Sequence, residues 1–175
     1  IHDTRYMMYW MSVTDAEYGA LRDSLAAAEG KRMALDRRTI DRVASGEQQP
    51  EMDHAMQTDR SRTGSTLDRL WRDAYDGGSF GYEMVTHDAV GLGLRVTYWG
   101  AEWGNRKFSI LVDDTLLYEE DNTGRWNHST FQEIEYAIPD ALVRGKAGIR
   151  VTFRSLPGST AGAVYGLRLV RAGDT

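Results

Sequence analysis

The stretch LGLRVTYW, residues 92–99, decides the fold. Leu92, Leu94, Val96 and Tyr98 fall on every second position, with Arg95, Thr97 and Trp99 between them. Successive side chains of an extended chain point to opposite faces, so the alternation gives one apolar face and one mixed face. The same period recurs at 80–86, 107–112, 116–120, 131–138, 148–154 and 163–170, with Gly, Asn, Asp and Pro between the segments. Seven short strands punctuated in this way predict an antiparallel β-sandwich or jelly roll. Asp113 and Asp114 stand where a tight hairpin turn would join two strands, and Pro139 with Asp140 opens a single helical turn.

Upstream the pattern changes. HDTRYMMYWMSV, residues 2–13, interleaves Tyr6, Met8 and Trp10 with Met7, Tyr9 and Met11, as a strand buried on both faces would. Thr14 with Glu17 forms a capping-box signature, and Tyr18, Leu21, Leu25 and Ala28 follow at helical spacing, which predicts a helix over 15–28. Residues 30–45 fit neither period. The chain is therefore expected to be mainly β, with a strand and helical connector at 1–45, the remnant of a preceding domain, and the sandwich at 46–175.

Composition narrows the function. The chain has 175 residues and a net charge of −5, with 7 basic and 7 acidic side chains in residues 1–45 and 14 basic and 19 acidic beyond. No basic stripe is present for a phosphate backbone, so nucleic acid is not expected as a partner. No apolar run approaches the roughly 20 residues of a membrane helix, so a membrane is not expected either. The first residues lack signal-peptide features, and the absence of an initiating methionine reads as a fragment of something longer, with the compartment left open. With no cysteine, thiolate catalysis and cysteine–zinc ligation are excluded within the chain.

The remaining candidates are weaker. Glu47, Glu51 and Asp53, or Glu119, Glu120 and Asp121, could supply paired carboxylates, but an acid–base pair needs separated pKa values across a cleft and no acid stands out as catalytic. His2, His54, His87 and His128 show no metal-ligand spacing, so no metal site is expected. Asp113, Asp114, Asp121 and Asn122 offer oxygen ligands for a structural calcium, yet calcium-loop spacing is missing. SLPGSTAG, residues 155–162, holds no nucleophile elbow, and GSTAGAVYGLRL lacks a phosphate-loop ending, so it reads as a glycine-rich turn feeding the last strand. GEQQPEMDH, residues 46–54, is dense in polar groups. Glu47, Gln48, Gln49, Glu51, Asp53 and His54 are expected to form a structural motif that bonds loop backbone groups at the start of the sandwich.

Aromatic content points to sugar. Five tryptophans and nine tyrosines supply flat faces on which sugar rings stack, while neighbouring polar groups bond hydroxyls. YWGAEWGNR, residues 98–106, contributes Trp99, Trp103, Asn105 and Arg106, and Trp126 follows in DNTGRWNH. These five residues are the carbohydrate-contact candidates. Trp71 reads as core.

Several segments together resemble the C-terminal region of bacterial proteins of the β-L-arabinofuranosidase group, glycoside hydrolase families 127 and 146. They are HDTRYMMYW at 2–10, GEQQPEMDH at 46–54, LWRDA at 70–74 with GGSFGYEM at 77–84, VTYWG at 96–100, RKFSILVD at 106–113 and LPGSTAGAVYGLRL at 156–169. The resemblance implies a large enzyme whose (α/α) barrel cleaves arabinofuranosides with a cysteine nucleophile beside a zinc. It places this chain after that barrel, as a substrate-binding β-sandwich module with no catalytic residue and no cofactor of its own. The expected partners are the catalytic domain of the same polypeptide and an arabinose-containing glycan. The alternatives are a purely structural module clamping the barrel, and an independent carboxylate hydrolase.

Overall fold

The computed structural model describes residues 14–173, so the strand expected at 2–13 lies outside the described residues. The described residues fall into two compact units that divide between residues 37 and 38. In the first, helix α1 (Asp15–Arg38) opens with the expected capping box. The Thr14 backbone N–H donates to Glu17 Oε2 at 2.8 Å, and the Glu17 N–H donates back to Thr14 Oγ1 at 3.3 Å. The helix continues through Gly30, whose cost of about 1 kcal/mol relative to alanine does not end it in the absence of proline. No α1 residue is buried, and Tyr18, Leu21, Leu25 and Met33 are exposed.

The second unit contains β1 (Thr39–Val43), α2 (Gln48–Asp53), β2 (Gln57–Thr66), β3 (Arg69–Val85), β4 (Leu92–Trp99), β5 (Lys107–Val112), β6 (Thr115–Asp121), β7 (Phe131–Ile138), α3 (Asp140–Val143), β8 (Gly148–Ser155) and β9 (Thr160–Arg171). All pairings are antiparallel, in the order β6-β5-β8-β3-β9-β4-β7, with β1 added to β9 and β2 to β3. This is the expected β-sandwich. Strand β3 joins the two halves of this order: Arg72, Ala74 and Tyr75 pair with β9, whereas Ser79–Val85 pair with β8.

The alternation of 92–99 explains the core. Leu92, Leu94, Val96 and Tyr98 are buried, and they meet Phe80, Tyr82 and Met84 of β3, Phe108 and Ile110 of β5, and Val151 and Phe153 of β8. Phe80 stacks on Phe153 at 5.1 Å, and Tyr98 crosses to Phe108 at 6.1 Å. Each such side chain contributes about 1.5–3 kcal/mol through burial.

Three segments differ from the sequence reading. Thr39–Val43, which that reading places in the connector, is a sheet strand: Val43 is buried and Ile40 packs on the core. Strand β2 has no large apolar residue in QTDRSRTGST, and β3 begins at Arg69, well before the expected residue 80. The β2–β3 hairpin turns at Leu67 and Asp68, with φ of 48° and 60°, as Asp113 and Asp114 do with 44° and 62° between β5 and β6. Trp71, expected in the core, is half-buried and lies across Gly64, where a Cβ would come within 2.3 Å of its ring.

GEQQPEMDH folds as α2, and its centre is Glu51. This side chain accepts from Arg72 Nε at 2.6 Å and Nη2 at 2.7 Å, from the Tyr82 hydroxyl at 2.7 Å and from the Gly46 N–H at 2.8 Å. Burial alone would raise its pKa, but these donors hold it below the ordinary carboxylate value. Gln49 donates to Asp53 at 2.7 Å, whereas Glu47 caps α2 without a side-chain bond. Burial disfavours the charged form of His54, yet its pKa is raised because Nε2 faces Asp41 Oδ1 at 3.1 Å and Nδ1 faces the Pro50 carbonyl at 2.6 Å. Both partners are acceptors, so the protonated ring, with both nitrogens donating, is the form these contacts favour. Asp41 Oδ2 in turn accepts from the Val85 N–H at 2.7 Å, tying β1 and α2 to β3.

Candidate binding groove

The mixed face of β4 meets its neighbours in register. Trp99 stands opposite Phe131, Thr97 opposite Glu133 and Gly166, and Arg95 opposite Glu135 and Arg168. Arg168 is in turn opposite Arg42 of β1. The aromatic end of this surface is a chain of edge-to-face contacts, Trp99 to Phe131 at 5.0 Å and Phe131 to Tyr165 at 5.0 Å, with the Arg69 guanidinium 4.2 Å from the Phe131 ring centre. Burial raises the Tyr165 pKa, so the phenol stays neutral and donates to Thr66 Oγ1 at 2.9 Å.

Beside this cluster lies a groove of about 420 Å³. Arg42, Arg69, Arg168, Glu47 and Glu133 supply its charged groups, while Thr97, Tyr165 and Gly166 also line it. A phenol, a hydroxyl and several guanidiniums in an open depression suit a polar ligand that offers many hydrogen-bond acceptors. Another depression, about 410 Å³, lies on β2, β3 and β8 and is lined by Gln57, Asp59, Gly81, Arg150, Thr152 and Arg154 among others; its aromatic lining residue, Phe80, is fully buried.

The structure separates the five residues named from sequence. Trp99 is half-buried against Phe131 on the outer face. Trp103 is 83% exposed in the loop that follows β4. Asn105 is exposed and donates to the Gly158 carbonyl at 3.4 Å. The Arg106 guanidinium is occupied by Glu102 at 2.7 Å and by the carbonyls of Trp103 and Gly162, each at 3.0 Å. Trp126 stacks on buried Tyr98 at 6.1 Å, with Arg125 4.7 Å from its ring centre. Tyr98 reaches Tyr136 at 3.1 Å, and Tyr136 bonds Glu120, which also accepts from Arg125 at 2.7 Å. The tryptophans therefore do not share one open face.

Sequence reasoning passed over Arg42, Arg69, Tyr165 and Arg168 because they lie on β1, β3 and β9 and converge only through strand register. The alternation phase of 163–170 was the available signal. Among the described residues no group of three or more His, Asp or Glu is placed to hold a metal ion, and no helix is long and apolar enough to cross a membrane. The cysteine–zinc centre that the arabinofuranosidase resemblance assigns to the catalytic barrel draws no cysteine ligand from this chain, which contains none.

The fold and the groove define an antiparallel β-sandwich with a polar, aromatic-edged depression on one sheet. The chain belongs to the family of unknown function DUF6805, whose model matches residues 34–170. No curated protein matches it. Among solved structures it is similar to an exo-β-1,3-galactanase from Phanerochaete chrysosporium with β-1,3-galactotriose, at 11% identity over 75% of this chain and 29% of that one, with a TM-score of 0.50. It is also similar to the plant receptor-like kinase ANX1, at 13% identity over 74% of this chain and 41% of that one, with a TM-score of 0.50. A family 35 carbohydrate-binding module from Clostridium thermocellum aligns at 12% identity over 67% of this chain and 92% of that one, with a TM-score of 0.49. At these identities the likeness is one of fold.

Proposed function

We propose that this chain is a non-catalytic module that binds carbohydrate in the groove beside Tyr165, as an accessory part of a bacterial glycoside hydrolase. The observation that carries the reading is the juxtaposition of the Trp99–Phe131–Tyr165 cluster with a roughly 420 Å³ depression rich in hydrogen-bonding side chains. The likeness to the galactanase adds the fold alone. Arabinofuranose-containing glycans are the first ligands to test, on the resemblance to the arabinofuranosidase group. Of the five residues named from sequence, Trp99 lies next to the groove, and Trp103 and Asn105 remain exposed for a glycan passing over the loop.

A structural role against a catalytic domain is the second reading, favoured by the inward packing of Trp126 on Tyr98. The hydrolase reading gains nothing. It needs a carboxyl held protonated, and among the described residues Glu102, whose pKa burial raises, is paired with Arg106 outside the groove.

Calorimetric titration with arabino- and β-1,3-galacto-oligosaccharides at millimolar concentration tests binding. Thr97→Gln, which places a longer side chain at the groove, should abolish the heat, with circular dichroism and thermal unfolding confirming that the variant, altered at a buried position, is folded at the titration temperature. Absence of binding to every oligosaccharide, or equal binding by the plugged variant, would overturn the proposal.

A further inference from the structure

The side of the groove formed by β1 and α2 is joined through one histidine. Arg42 and Val43 of β1 line that side together with Glu47 and Pro50 at α2. The Nδ1 of His54, the residue that ends α2, faces the Pro50 carbonyl at 2.6 Å, and Nε2 faces Asp41 Oδ1 of β1 at 3.1 Å. The same Asp41 oxygen accepts from the Arg42 N–H at 2.8 Å, and Asp41 Oδ2 accepts from the Val85 N–H of β3 at 2.7 Å. One imidazole therefore links two groove-lining residues, Pro50 and Arg42, through a carboxylate that is itself fixed to β3. The other anchor of α2, Glu51, has its pKa held below the ordinary carboxylate value and keeps its charge near neutrality.

The charges around the ring act in one direction. Asp41 on β1 and Asp53 on α2 both favour the protonated form. From β3 the Glu83 N–H donates to the His54 carbonyl at 2.8 Å, while the Glu83 carboxylate is paired with Arg150 of β8 at 2.7 Å. Arg150 Nη2 also lies 3.5 Å from the Ala55 carbonyl. A neutral ring has one N–H, so it keeps one of its two contacts and turns a lone pair toward the oxygen of the other.

We infer that His54 is a positioning residue of the groove: charged, it holds α2 against β1 so that the groove takes its glycan, and neutral, it frees one of them and binding weakens. This rests on the carbohydrate-binding reading and adds its regulation by pH. Loss of one hydrogen bond to a charged group sets the scale, about tenfold in affinity.

Calorimetric titration of the full chain with arabino- and β-1,3-galacto-oligosaccharides from about pH 6 to 9 tests this, at a temperature where circular dichroism shows each chain folded. Affinity of the parent should fall about tenfold across the range. His54→Gln, which can bond Asp41 without titrating, should lose that slope. Because ligand and proton binding are reciprocal, the parent should also take up protons on binding near the midpoint, read as a heat that varies with the ionisation enthalpy of the buffer. A histidine that only stabilises the fold would shift the melting temperature and leave both readouts flat. A parent affinity independent of pH, or a slope kept by His54→Gln, would overturn the inference and leave the carbohydrate reading standing. No binding at any pH would overturn both. If His54→Gln does not fold, the parent's own profile and proton uptake still decide.

Discussion

Replacing Glu51 with alanine should be among the most damaging single changes in the sandwich. Its side chain is 3% exposed and that of Arg72 11%, so the variant leaves a guanidinium in the interior without its carboxylate, and Tyr82 and the Gly46 N–H without an acceptor. Breaking a buried ion pair in this way costs about 3–5 kcal/mol. With a urea m-value of about 2 kcal/mol/M, the unfolding midpoint should fall by about 1.5–2.5 M at unchanged m. The pH dependence has a definite sign. The folded pKa of Glu51 is depressed, so its contribution is present above the unfolded carboxylate pKa and is lost as pH falls through the folded value. Glu51→Ala should therefore flatten the acid limb of the stability profile. Glu51→Leu combined with Arg72→Met should cost less than Glu51→Leu alone, because the orphaned charge leaves with its partner. Urea titration followed by tryptophan fluorescence reads all three. A loss below about 1 kcal/mol in Glu51→Ala, or a double variant as unstable as the single, would refute the argument.

Glu47→Ala, at the exposed cap of α2, should stay within about 0.5 kcal/mol of the parent in the same titration. His54 works in the opposite direction from Glu51. Its folded pKa is raised, so its stabilisation is full below the unfolded value of about 6.5 and disappears as pH rises through the folded one; melting temperatures from about pH 6 to 9 should show a decline that His54→Gln lacks. Gly46→Ala should destabilise by about 2 kcal/mol or more, because Gly46 has φ of +84° and a Cβ there would lie 2.8 Å from the Trp71 carbonyl oxygen; thermal unfolding measures it. Trp126→Ala should cost about 2 kcal/mol through lost packing on Tyr98, whereas Trp103→Ala at the exposed loop should leave the melting temperature in place.

What could be read in advance follows from where burial writes itself into sequence. Residues 92–99 alternate because β4 faces the core on one side, and 107–112 and 148–154 do so for the same reason. The β5–β6 turn was legible in Asp113 and Asp114. Strand β2 was not, because QTDRSRTGST pairs its backbone with β3 while leaving most of its side chains exposed, so no apolar period is required. Strand β1 is too short for its Ile40 and Val43 to establish a period. For the groove, residue type alone misleads: Trp126 and Arg106 have suitable chemistry, but one stacks on Tyr98 and the other is occupied by Glu102. The opposition of Arg42, Arg168 and Arg95 exists only once β1, β9 and β4 are aligned, and that alignment is long-range information.

Strand β3 pairs with β9 along its first part and with β8 along its second, so a single stretch of backbone joins β6-β5-β8 to β9-β4-β7. Opening of either neighbour would strip pairing from the same strand, so the unit should unfold in one cooperative transition, seen as coincident fluorescence and circular-dichroism midpoints. A load applied along β3 would be resisted by inter-strand bonds to β9 over its first part and to β8 over its second.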